Sequence, residues 1–257
     1  MKIVVCVKQV LALGDEVEFT DDGRDVDPDF LELSLNEWDA HATEEALRIR
    51  ERSADGAGGE VVVVTVGDES AADVLRRCLA MGADRAIRVE AGPGALADPI
   101  TVARALAEPV RAEQPDLVLT GVQSSDSVQA ATGTALAELL GLPRVAVVTR
   151  IDHTDGEPTA VVHRELEGGL VDVTEVDVPA LLTVQTGINE PRYANLRAIK
   201  QAREKELAVV RPSPAGQPAC SVRRMYAPPR GEGARMLDGE PAEIAARIAE
   251  IVKERLS

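Results

Sequence analysis

The stretch from Val61 to Val89 constrains this chain more tightly than any other. Val61 to Val66 is an unbroken apolar run of the kind a fully buried strand shows. Ser70 can cap a helix on which Ala71, Val74, Leu75, Cys78 and Leu79 recur at i, i+3, i+4, i+7 and i+8. Gly82 stops that helix, and Ala86 to Val89 resumes as a strand. Strand, helix and strand in this order make a right-handed crossover, which sets the two strands parallel in one sheet.

The same alternation extends in both directions. Ile3 to Val7 predicts a first buried strand ending at Lys8-Gln9, and Asp21-Asp-Gly23 marks a turn. Asn36 is placed to cap the next helix, with Asp39 as its partner in a capping box. Trp38, Ala42, Ala46 and Ile49 mark one face of that helix, and Glu44, Glu45, Arg48 and Glu51 the other. Ala54 to Gly59 is a small-residue loop. A further helix, Ile100 to Glu113, bent or split by Pro109, leads to the strand Leu117 to Leu119. Val145 to Ile151 follows the Gly141-Leu-Pro143 stop as another strand. The prediction is α/β: a doubly wound, mostly parallel sheet of about five strands.

Downstream the pattern changes. Thr159 to Arg164 and Leu170 to Val178 flank Glu167-Gly-Gly169 as a hairpin. The apolar phase slips from Val171 and Val173 to Val176 and Val178, which reads as a β-bulge near Thr174-Glu175. A short strand, Ala180 to Val184, precedes the loop Gly187 to Leu196 and a charged helix to about Glu206. From Val209 to Met236 prolines and glycines replace periodicity, so an extended arm is expected. It ends in an amphipathic helix with Ile244, Ile248, Ile251 and Val252 on one face, to dock on its own domain or on a partner. The domains are read as 1–208, including hairpin 159–178 and loop 187–200, and 209–257.

Composition excludes several functions. A net charge of −16 argues against nucleic acid and favours partners with basic patches. No apolar run approaches the ~20 residues that span a bilayer, so no membrane insertion is expected. Three cysteines without Cys-x-x-Cys suggest a reducing compartment, and a cytoplasmic protein is expected. His41, His153 and His163 are scattered, which leaves no metal-ligand spacing. Gly56-Ala-Gly58-Gly59 precedes a strand rather than following one, and neither a Walker lysine motif nor a Gly-x-Ser-x-Gly elbow occurs. With 44 acidic residues, chance carboxylate pairs are inevitable and none can be named as catalytic. Any chemistry would come from a bound cofactor.

One segment is suited to a ligand. Between the strand at Leu117 and the helix bearing Leu136, Leu139 and Leu140 lie Gly121, Gln123, Ser124, Ser125, Asp126 and Ser127. A loop from the carboxyl end of a parallel strand to a helix presents backbone N–H groups and the positive end of the helix dipole. Ser124, Thr132 and the amides near Gly133 could hold a phosphate, and Gln123 and Asp126 a base or ribose. The alternative is an ordinary connection rich in turn formers.

The sequence resembles the β subunits of electron-transfer flavoproteins over nearly its whole length. The resemblance is carried by Val5-Cys-Val-Lys8, Asn36 with Glu44-Glu-Ala-Leu-Arg48, Ala80-Met-Gly-Ala-Asp-Arg85, Asp116-Leu-Val-Leu119 and Thr132-Gly133. Its most specific parts are Arg164-Glu-Leu-Glu-Gly-Gly169, Pro179-Ala-Leu-Leu-Thr183, and Asn189-Glu-Pro-Arg-Tyr-Ala194 with Leu196. It implies an adenine nucleotide α-hydrolase-like domain, a heterodimer with a larger α subunit that carries the redox FAD, and a structural AMP in this chain. The implied AMP pocket is Cys6, Asn36, Glu37, Trp38, Asp39 and Val66, with Gly121, Val122, Gln123, Ser124, Ser125, Asp126, Ser127, Val128, Gln129, Ala130, Ala131 and Thr132.

Tyr193 and Leu196 are implied to anchor flavin dehydrogenases, such as acyl-CoA dehydrogenases, and Glu165 to hold the flavin domain through an arginine of the α subunit. The segment after Val209 would wrap the α subunit, and electrons would pass on to a quinone oxidoreductase. The chain would be a carrier subunit without catalytic residues of its own. Outside the resemblance, Leu196 reads as the first core position of its helix and Glu165 as a solvated strand residue. The chain departs from many members: Val122-Gln123 and Ala130-Ala-Thr-Gly133 offer fewer side-chain donors to a phosphate, and an aromatic that touches the flavin in some relatives is replaced here by an aliphatic, around Leu13. Basic residues after the anchor thin to Lys200, Arg203 and Lys205. A bifurcating type with a second FAD in place of AMP is the alternative within the family, and a universal-stress-type nucleotide-binding homodimer the alternative outside it.

Overall fold

The computed structural model describes residues 1–12, 17–27, 32–52, 59–91, 98–154, 156–212, 218, 220–229, 233–234 and 236–256; Leu13, most of the loop at 54–58 and parts of the arm lie outside that set. In chain order the elements are β1 (Lys2–Cys6), β2 (Gln9–Ala12), β3 (Glu32–Leu35), α1 (Glu37–Arg52), β4 (Glu60–Gly67), α2 (Ala72–Met81), β5 (Arg85–Glu90), α3 (Pro99–Ala112) and β6 (Leu117–Gly121). They continue with α4 (Thr132–Leu140), β7 (Arg144–Asp152), β8 (Thr159–Leu166), β9 (Leu170–Asp177), β10 (Ala180–Val184), α5 (Leu196–Ala202), β11 (Leu207–Val210) and α6 (Pro241–Leu256).

Nine strands form one sheet in the order β11-β5-β4-β1-β6-β10-β7-β8-β9. The seven from β11 to β7 pair parallel, and the β8–β9 hairpin extends that edge antiparallel. Val4, Val62 and Val118 pack on one side of the sheet with Leu106 and Val110 of α3 and Leu136 of α4. Val5, Val63 and Leu119 face the other side with Leu47 of α1, Leu75 of α2 and Ala202 of α5. The sheet is therefore doubly wound, and its strands read as continuous apolar runs because both faces are covered. With so few aromatic residues, the core is built from Val, Leu, Ile and Ala.

Several local expectations are corrected. A 3₁₀ turn, Glu69–Ala71, leads into α2, and its cap is Asp68, whose carboxylate accepts from the Ser70 amide at 2.9 Å. A single helix, α3, runs through Pro109, starting from an Asp98 cap that accepts from Ile100 and Thr101. The hairpin register runs without a break from Thr159↔Asp177 to Leu166↔Leu170, so the bulge expected near Thr174 does not form. The register shifts fall on β7 instead, between Val148 and Arg150 and opposite Leu182–Val184. The slip in apolar phase reflects the hairpin leaving the core: Val176 is buried, while Leu170, Val171 and Val173 near its tip are exposed.

Glu44 and Glu45, read as solvent-facing, are buried at 2% and 3% exposure. At the other edge, β11 carries Val209 and Val210 into the sheet, past the point where the arm was expected to begin. The chain divides into two units, Met1–Met225 with the sheet and Tyr226–Ser257 with α6. On α6, Ile248, Ile251, Val252 and Leu256 are exposed.

Candidate functional site

Between β1 and β6 the connections leave for opposite sides: α1 covers one face of the sheet and α4 the other. The crevice at such a switch point, beyond the carboxyl ends of the strands, is where open α/β sheets bind ligands. Here it is an open cleft lined by residues of β1, β4, α1, α3, β6 and the loop before α4. Cys6, Val66, Val102 and Leu106 give it an apolar side. Its polar side is Lys8, Asn36, Asp39, Gln123, Ser124, Ser127 and the start of α4 at Thr132-Gly133.

The loop before α4 is fixed from β1 and α1. Lys8 Nζ donates to Asp126 Oδ1 at 2.6 Å and lies 3.2 Å from the Ser124 hydroxyl. Ser124 and Ser127 hydroxyls are 2.8 Å apart. Asn36 spends both ends of its amide here: Nδ2 donates to the Gln123 carbonyl (2.8 Å), and Oδ1 accepts from the Ser125 amide (3.3 Å). Asp39 accepts from the backbone amides of Lys8 and Gly121, each at 2.8 Å. The expected capping box therefore does not close, because the Asn36 amide donates to the Lys8 carbonyl and Asp39 reaches across to β6. Burial pushes the Asp39 carboxyl up to about 6 against those hydrogen bonds. Burial also raises the Cys6 thiol well above its usual range, with the Asp39 charge adding.

Two glycines permit the close approaches. A Cβ on Gly121 would lie 2.5 Å from both Asp39 Oδ1 and Trp38 Cβ, and one on Gly133 would lie 2.5 Å from Thr120 Oγ1. The loop holds Val128 and Ala130 at φ of 49° and 50°. A β-branched residue at positive φ is strained, and such strain gathers at functional loops. No side chain caps α4, whose N-cap position is Ala131, so the orphan N–H groups of its first turn face the crevice for an acceptor from elsewhere.

Of the residues the resemblance assigned, Cys6, Asn36, Asp39, Val66, Gly121 to Ser124, Ser127 and Gln129 to Thr132 line the crevice. Glu37 is exposed, Val128 is turned outward, and Trp38 stands behind Gly121 with its Nε1 donating to Gln185. Ser125 and Asp126 act through Asn36 and Lys8. Sequence reasoning missed Lys8, Thr120 and the α3 wall of Pro99, Val102 and Leu106. Lys8 was legible as the residue that closes the first strand; the α3 wall needed the helix's rotation. Tyr193 and Leu196 lie elsewhere, 96% and 80% exposed, which excludes Leu196 as a core residue. Glu165 is exposed on β8, opposite Val171.

Fold and crevice define a doubly wound α/β protein with an open cleft at its switch point. The model of the electron transfer flavoprotein domain matches residues 30–215. Electron transfer flavoprotein subunit beta of Methylophilus methylotrophus is 46% identical, covering 99% of this chain and 98% of its own length. The subunit of the same name from Syntrophomonas wolfei is 35% identical, with 98% and 96% covered. The mitochondrial one of Arabidopsis thaliana is 37% identical, with 80% of each chain covered. The chain belongs to the electron transfer flavoprotein family, as a beta subunit.

Proposed function

We propose that the crevice holds AMP and that this chain, paired with an α subunit carrying FAD, forms a cytoplasmic electron carrier between flavin dehydrogenases and a quinone oxidoreductase. One observation carries the nucleotide assignment: a helix without a side-chain cap opens on a cleft that is apolar at its other side. The first-turn amides of α4, the Ser124 and Ser127 hydroxyls and Lys8 suit a phosphate by charge and donor type. Val66, Val102 and Leu106 suit the face of a purine. The residues present thus fit the nucleotide, and in holding it they would complete a helix end the chain leaves open.

The flavin, when bound in the partner, supplies the electron storage. This chain's share is to frame that site, with Glu165 exposed toward an arginine of the α subunit, and to present a dehydrogenase anchor. Tyr193 and Leu196 support the anchor role because two large side chains exposed three residues apart are of the kind that fills a partner's pocket as a hot spot. The exposed apolar face of α6 supports docking of Tyr226–Ser257 on the α subunit. Acid extraction followed by chromatography tests the central assignment. One equivalent of AMP per chain is expected. Two FAD per heterodimer would instead mark the bifurcating type, and a colourless homodimer would refute the carrier. Removal of Tyr226–Ser257 is expected to abolish co-purification with the α subunit.

A further inference from the structure

Gln185, Asn189 and Arg192, in the segment between β10 and α5, all reach α1. Trp38 Nε1 donates to Gln185 Oε1 at 2.8 Å. One turn along the helix, Asn189 Nδ2 donates to the His41 carbonyl at 3.0 Å and to Glu45 Oε2 at 3.1 Å, while Asn189 Oδ1 lies 3.1 Å from His41 Nδ1. At the next turns Arg192 makes two forks. Its Nε and Nη2 reach Glu44 at 2.8 and 3.1 Å, and its Nη1 and Nη2 reach Glu51 at 2.6 and 3.0 Å. The Arg192 amide also donates to Glu44, at 3.1 Å.

The far side is tied just as firmly to α2. Arg76 donates to the Ala202 and Lys205 carbonyls at 2.7 and 2.8 Å. Lys205 Nζ donates to the Leu79 and Ala83 carbonyls at 3.1 and 2.5 Å. Arg76 thus closes a carbonyl at the end of α5, and Lys205 one in the last turn of α2. Between these anchorages Tyr193 and Leu196 are exposed while Ala194 packs against the core, and Asn195 Oδ1 caps α5 by accepting from Ala198 at 2.9 Å.

Stability alone is a poor reason for this network. Glu44 and Glu45 are buried carboxylates on the side of α1 that meets this segment. Buried ion pairs rarely outperform apolar residues of the same volume, but they fix geometry. We infer that Asn189 and Arg192 are positioning residues, which rivet the connection to α1 and so pre-organise Tyr193 and Leu196 for a protein partner. This rests on the docking role proposed above. A hook already held in its bound shape loses less conformational entropy on association, so cutting the rivets weakens encounter rather than electron transfer within the complex.

The test uses the intact heterodimer and a purified acyl-CoA dehydrogenase. Arg192→Ala is expected to raise the KM for the carrier about tenfold with kcat within about twofold, and Arg192→Lys to recover only part of the loss, because an ammonium cannot make both forks. Glu51→Gln cuts one fork at an exposed position without disturbing buried Glu44. It should raise KM about threefold at unchanged Tm, which guards against a variant that merely misfolds. Amide exchange of the Arg192→Ala complex should rise at residues 190–196 alone; a rise across the sheet would overturn the positioning role. If Leu196→Ala raises KM and Arg192→Ala does not, positioning is wrong while docking stands. If Leu196→Ala leaves KM unchanged, the docking reading fails and this inference falls with it.

Discussion

β6 and β10 lie side by side, with Gly121 opposite Val184, yet the connections that leave them are built for opposite ends. The first stays within the molecule. Asn36, Asp39 and Lys8 hold it, two of its residues sit at positive φ, and it delivers an uncapped helix to a cleft. The second is riveted along the middle of the same helix, α1, ends in the Asn195 cap, and turns Tyr193 and Leu196 outward. Whether the first turn of the following helix meets its acceptor within the chain separates the two. Where it does, nothing attracts an anion and the surface can specialise in apolar contact. Where it does not, the helix end becomes the recognition element.

Substitution at the two glycines should break the comparison most visibly. Gly121→Ala forces a methyl against Asp39 and Trp38 and is expected to cost about 3 kcal/mol, whereas Gly187→Ala, with open space but φ of +84°, should cost about 1 kcal/mol. Differential scanning calorimetry of the complex reads both.

Acid titration should then set one buried carboxylate of each connection against the other. The Asp39 carboxyl is held at about 6 in the fold and near 3.8 in the unfolded chain, so its contribution favours folding below about pH 4 and is lost as pH rises through 6. For Glu44, burial pushes upward, but the bonds from Arg192 and Arg48 outweigh it and hold the carboxyl below its ordinary value. Its contribution is present above that value and lost as pH falls. Between pH 4 and 7, the stability gap between wild type and Asp39→Asn should therefore shrink by up to ~3 kcal/mol, while the gap to Glu44→Gln widens. Gaps that move together would refute the contrast.

Nucleotide retention should move next. Lys8→Met removes a cation at the proposed phosphate end and is expected to cost about 2 kcal/mol of AMP affinity, read as residual AMP after dialysis. Ala131→Asp, which places a carboxylate at the open start of α4, should also empty the site. The smallest effect belongs to Asn195→Ala, at about 1 kcal/mol of stability with AMP content unchanged.

The parts of this arrangement that were legible in the sequence are those fixed by neighbours in the chain. The α2 stripe, the β6 run, the Gly141 stop and the hairpin all follow from periodicity and turn chemistry. The misreadings concern residues satisfied from far away. Glu44 and Glu45 read as solvated because their partners, Arg192 and Asn189, lie more than a hundred residues on. Asn36 and Asp39 read as a local cap because nothing in their own segment reveals that Gln123 and Gly121 take those bonds. The insertion of β10 between β6 and β7 is likewise a matter of topology, to which no residue of the short run Ala180–Val184 testifies. The loop before α4 was picked out by its position after a strand; the apolar wall of its crevice was not, since α3 shows its face only once docked.

The pairing of Leu181 with Val118 and Leu182 with Leu119 makes a common ruler of β6 and β10. A one-residue slip along it would turn the core side chains of β10 to the wrong face and carry the hook ~3.3 Å along the sheet. Lengthening either loop leaves that ruler untouched. Variation in what this protein grips and in what it touches can thus proceed independently, so long as neither strand gains or loses a residue.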